Sequence, residues 1–96
     1  MNSIINYQKI EKEAVAQLNF PSAEVLKSKE AILEREMNLK RALSLGNLEY
    51  SKIKIYFEDD ASMKVVDTTV WGLTDKRIIL KQGLVIPINR VHQIKF

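Results

Sequence analysis

Around Tyr50 the spacing of apolar residues changes from three and four to two, and this change limits what the chain can fold into. Upstream, Ile4, Tyr7, Ile10, Ala14 and Leu18 recur at helical intervals. Downstream, Ile53, Ile55 and Phe57 alternate with Lys52, Lys54, Tyr56 and Glu58, the pattern of a half-buried strand. A helix collects side chains three and four apart on one face, and a strand collects those two apart, so neither segment can take the other's form without exposing its apolar set. The expectation is an α+β domain spanning residues 1–96, with a helical half over 1–46 and an antiparallel β half over 51–96. Its 96 residues suffice for one modest core, burying roughly two-thirds of the unfolded surface.

Two N-terminal helices are expected, at about 3–18 and 23–45. Ser3 is placed to cap the first. Asn19-Phe20-Pro21-Ser22 ends it, because proline disfavours helical geometry at Phe20, and Ser22 can cap the second. Glu24 then falls in a first turn, where a carboxylate suits the helix dipole, and Lys40 and Arg41 near the far end. Gly46 is expected as the left-handed residue that closes the helix, with Asn47 beyond. Such a helix would span about 34 Å at 1.5 Å per residue. Val25, Leu26, Ile32, Leu33, Met37, Leu39, Leu43 and Leu45 do not fit one narrow stripe. Either both faces are buried or the helix breaks near Ser28; one continuous helix is the reading adopted.

The β half should hold four or five short antiparallel strands, over about 52–96, in a partly barrel-like sheet. Glu58-Asp59-Asp60-Ala61-Ser62 is a turn, read as solvated. Met63 to Trp71 reads as one strand with a bulge near Val66-Asp67, where the alternation slips. Lys76 to Lys81 follows, and Gln82-Gly83 offers a tight hairpin into Leu84–Ile88. Pro87 lacks an amide donor, which places that strand at an edge or leaves its Pro87 side unpaired. Val91 to Phe96 is the last.

No motif points to catalysis, a metal or a cofactor. The chain has no cysteine, hence no disulfide, thiolate nucleophile or cysteine-ligated metal. Its single histidine, His92, has no acidic residue near it in sequence, and no Gly-x-Ser-x-Gly occurs. Glu58-Asp59-Asp60 lacks calcium-loop spacing. Gly46, Gly72 and Gly83 lie too far apart for a phosphate-cradling loop. A non-enzymatic protein is expected, without membrane spans and without a secretory signal, for which the cytoplasm is the simplest location.

Charge is uneven. Residues 1–50 hold seven basic and seven acidic residues, whereas 51–96 hold eight and five, so the net +3 lies in the β half. Lys76, Arg77, Lys81 and Arg90, with Trp71, form a candidate surface for an anionic ligand, RNA or single-stranded nucleic acid. The competing reading is that lysines guard strand edges and Trp71, beside Gly72, belongs to the core. Leu33, Met37, Leu39 and Leu43 form a candidate self-association surface, since two-fold dimers are the commonest soluble oligomers. A self-associating interaction module is the leading functional expectation, with a homodimer or another protein as partner. Nucleic-acid binding is the alternative.

Thr74-Asp75-Lys76-Arg77-Ile78-Ile79, then Gly83, then Ile86-Pro87-Ile88-Asn89-Arg90-Val91, resembles the hairpin signature of bacterial pleckstrin-homology-like domains. There Thr-x-Lys-Arg-Ile precedes a glycine turn and an Ile-Pro-Leu-x-x-Ile strand; no binding residue carries over from the match. The chain from Leu45 onward also resembles a group of small uncharacterised bacterial proteins, which implies no activity.

Overall fold

The computed structural model describes residues 6–96, so Ser3 and Ile4 lie outside the described residues. Strand β1 (Gln8–Ile10), a short 3-10 helix (Lys12–Gln17) and helix α1 (Lys29–Glu49) precede six further strands. These are β2 (Ile53–Glu58), β3 (Met63–Thr68), β4 (Val70–Leu73), β5 (Arg77–Leu80), β6 (Val85–Pro87) and β7 (Val91–Lys95). The α+β class holds, but with one long helix rather than two. The strands form two sheets, ordered β1-β3-β2-β7 and β4-β5-β6, rather than one barrel-like sheet of four or five.

The segment expected as a first helix is extended at Gln8–Ile10, where it pairs in parallel with β3, and 3-10 beyond. Tertiary contacts override the local helical period: Tyr7 stacks edge-on against Tyr56 with ring centroids 4.7 Å apart, and Val15 is fully buried. The second helix begins six residues later than expected. Ser28 caps it, accepting a hydrogen bond from the Ala31 amide at 3.1 Å. Residues 23–28 are instead irregular, and Glu24 turns back to meet Arg35 on the helix.

Arg35 is buried and staples three elements. Its guanidinium donates to both carboxylate oxygens of Glu24, at 2.7 and 2.6 Å, and to the Val91 carbonyl at 3.0 Å. The guanidinium beside Glu24 holds that carboxyl below the usual range, against the opposing effect of burial.

Gly46 is not the helix terminus. It lies within α1, whose buried stripe is Arg35, Leu39, Ala42 and Gly46, and a Cβ there would run into the carbonyl oxygen of Val70 on β4. The glycine serves close helix–strand approach, and the left-handed terminus falls on Tyr50 instead, at φ 54°. Tyr50 is exposed, so its side chain contributes little there. Tyr50→Gly should therefore stabilise the fold by about 0.5–1 kcal/mol, read as a rise in melting temperature. An unchanged or lower value would contradict the cap assignment.

The region read as one strand from Met63 to Trp71 is two, which separate at Thr69 and belong to different sheets. The register irregularity lies between Val70 and Gly72, at Trp71, and not near Val66. The Gln82-Gly83 hairpin is present, with both residues at positive φ, and β6 with Pro87 is an edge strand. Ile53, Ile55 and Phe57 of β2 face Ile78, Leu80 and Ile86 of the second sheet across the core, with Val66, Val70, Val91 and Ile94. The sheets do not close. α1 packs against β4 and β7 with Leu39 and Ala42, and the 3-10 helix packs against β3 and β6 with Val15. Among the described residues no helix is long and apolar enough to cross a membrane.

Candidate binding surface

Strand alternation decides which side chains the second sheet shows to solvent. In β5, Ile78 and Leu80 point into the core, which turns Arg77, Ile79 and the following Lys81 outward. The register sets Ile79 opposite Val85 on β6 and beside Gly72 on β4. The missing side chain of Gly72 leaves room for Ile79, whose Cδ1 lies 3.3 Å from where a Cβ would stand. Trp71 follows buried Val70 and so turns to the outer face, 49% exposed, the bulge keeps Gly72 on that face opposite Ile79, and Val85 is 40% exposed. Trp71 is therefore not a core residue. Trp71, Ile79 and Val85 make an apolar strip across three strands, with Arg77 and Lys81 at either end of its middle strand.

The cations near this face make no ion pair. Asp75 is the one carboxylate between Val70 and Arg90, and Lys76, Arg77 and Lys81 form no ion pair among the described residues. Lys76 and Arg77 also border a groove of about 560 Å³ with Phe20, Pro87 and Ile88, together with Asp75 and the Glu24–Arg35 pair. Arg90 does not join them. It is buried, and its guanidinium donates to the carbonyls of Glu58 (3.1 Å), Ala23 (2.7 Å) and Asp59 (3.4 Å), a structural staple with no donor turned to a ligand. Sequence reasoning missed this because all three acceptors are main-chain atoms from distant segments.

On the outer face of the first sheet, Asp67 is engaged by two lysines. Lys54 donates to Asp67 at 3.0 Å, and Lys9 lies 3.5 Å from the same carboxylate. The Lys54 contact leads in holding the Asp67 carboxyl low, against a smaller opposing effect of burial. Lys95 sits over the Tyr56 ring. The register shift in β7 next to Val91 accommodates His92, whose Nε2 lies 2.9 Å from Glu58 Oε1. An acidic neighbour is thus supplied across strands where none was visible in sequence. Tyr7 completes the cluster, its hydroxyl pushed up by burial first and then by Tyr56 and Glu58. Among the described residues no group of three or more histidine or carboxylate side chains is placed to hold a metal ion.

The turn at Glu58–Ser62 is not simply solvated. Asp59 is buried and accepts from the Ala61 and Ser62 amides at 3.0 and 2.9 Å, and from Lys64 Nζ at 2.9 Å. Lys64 also donates to the Ser62 hydroxyl at 2.8 Å.

The helical surface splits. Leu39 is buried against the sheet and Leu43 is partly buried against the core, so neither is available to a partner. Leu33 and Met37 are exposed, at 57% and 70%, one turn apart on the opposite face. Two side chains fall well short of the roughly 800 Å² per partner of a specific dimer.

Comparison of the chain with protein-family models, with curated proteins and with solved structures gives no match.

Proposed function

We propose that this protein is a non-catalytic interaction module whose working surface is the outer face of the second sheet. The observation that carries this reading is the coincidence, on one face, of an exposed apolar strip (Trp71, Ile79, Val85) with cations that have no internal partner. On the first sheet, by contrast, Lys9 and Lys54 both engage Asp67, and Lys95 lies over the Tyr56 ring. An apolar strip rimmed by polar groups is the common form of a docking surface, and an aromatic with a neighbouring arginine is a frequent energetic centre of one. Of the self-association surface expected on α1 only Leu33 and Met37 stay exposed, with Leu48 further along the helix, and it is the pairing of an apolar strip with unpaired cations that favours the sheet.

The test is a pair of double variants purified with whatever they bind in the cells that make them. Trp71→Ser with Val85→Ser should lose the bound partner while melting within a few degrees of the parent. Leu33→Ser with Met37→Ser should keep it and leave the solution mass unchanged. The reverse pattern, or a dimer abolished by the helix variant alone, would replace the sheet by the helix as the working surface.

A further inference from the structure

Resting on that reading of the face, we infer that its partner is an acidic protein segment that places an apolar anchor against Trp71 and Ile79 with carboxylates on both sides of it. Arg77 on β5 and Lys81, the first residue of the turn that follows it, are each two residues from Ile79. At roughly 3.3 Å per strand residue they flank the anchor site about 13 Å apart end to end. Neither forms an ion pair among the described residues, and Glu24, which lines the same groove as Arg77 and Asp75, is held by Arg35.

The alternatives fit the same face less well. A single-stranded nucleic acid needs successive aromatic platforms, and this face offers one indole flanked by aliphatic Ile79 and Val85. Three cations would give a salt slope of only about −2 for single strands, the mark of weak binding at physiological salt. A second copy docked face to face would bring unpaired Arg77 and Lys81 against their own equivalents, and like charges placed together oppose association. An acidic segment with an aliphatic or aromatic anchor matches both the apolar strip and the sign of its ends.

Trp71 is the chain's single tryptophan, so its emission reports this site directly. The intact protein is titrated with a synthetic amphipathic peptide carrying a leucine stripe flanked by glutamates, with its lysine counterpart, with oligo-dT and with phosphatidylserine vesicles. The glutamate peptide should shift Trp71 emission to the blue and protect it from acrylamide, saturably, while the lysine peptide does neither. Arg77→Glu with Lys81→Glu should weaken the glutamate peptide roughly tenfold or more. Leu33→Ser with Met37→Ser should bind it as the parent does. Protection by oligo-dT or vesicles but not by the glutamate peptide would overturn the partner class while leaving the face as the working surface. A blue shift that grows with protein concentration alone would overturn it in favour of a second copy. If no probe protects Trp71, and the Trp71→Ser with Val85→Ser variant keeps its cellular partner, both the inference and the reading beneath it fall.

Discussion

Gly46→Ala is expected to destabilise the fold by about 2 kcal/mol, although alanine is the better helix former by about 1 kcal/mol. The propensity gain is local. The loss comes from the new methyl, which meets the Val70 carbonyl oxygen and has the Thr69 Cγ2 atom 3.2 Å away. Overpacking commonly costs 1–3 kcal/mol, and here the obstacle is main chain held in a sheet, so α1 must lift from β4 rather than a side chain rotate. For a domain near 100 residues this corresponds to a fall in melting temperature on the order of 10 °C. Gly72→Ala is the control. Its new methyl would meet the end of the flexible Ile79 side chain at 3.3 Å, and a much smaller change is expected. A Gly46→Ala protein that melts at or above the parent would show that the helix does not sit on β4 as described.

The second large effect is expected at Lys64 and Asp59, a pair with side-chain exposures of 8% and 3%. Lys64→Met should cost about 3 kcal/mol, because it leaves a buried carboxylate without its cation. The figure sits at the low end of the usual range since the Ala61 and Ser62 amides still serve Asp59. Adding Asp59→Asn should recover at least half the loss, as removing both charges of a buried pair is far milder than removing one. Burial acts most strongly on the Asp59 carboxyl and would raise it, but the Ser62 amide, Lys64 and the Ala61 amide together outweigh burial and hold it below the usual range. A carboxyl lowered on folding contributes stability that is complete above its unfolded pKa, about 3.9, and is lost as the pH falls through the folded value. The gap between parent and Lys64→Met should accordingly narrow in acid below about pH 4. A gap that stays constant across that window, in urea titrations at each pH, would mean the pair is not coupled through charge.

The period change at Tyr50 carries most of what was legible. β2, the hairpin at Gln82-Gly83, the edge position of Pro87 and β7 all follow from alternation and turn chemistry, which act within a few residues. What was not legible depends on partners distant along the chain. Nothing near Gln8 announces a parallel partner at Lys64, and nothing near Gly46 announces the Val70 carbonyl. A glycine late in a helical run signals a cap by local rules, and only the packed structure reveals that its missing side chain is needed for contact. The candidate surface was half visible. The basic residues Lys76, Arg77 and Lys81 were visible as a group, but whether Trp71 was core or surface depended on which way Val70 turns, and Arg90 was lost to the surface through carbonyls at Ala23, Glu58 and Asp59. Helical periodicity likewise could not separate Leu39 from Leu33, because which flank of α1 meets the sheet is fixed by Gly46.

The order of strands in the first sheet also bears on how the chain reaches its native state. β2 finds β3 across one short turn, but its other flank is paired only by β7, after the whole second sheet has intervened. Until that late partner docks, the open backbone of Ile53–Glu58 is a template for any passing strand, and the partly built molecule is most prone to aggregate then. Slowing the closing step should therefore lower the refolding yield more than it lowers the stability of molecules that complete it.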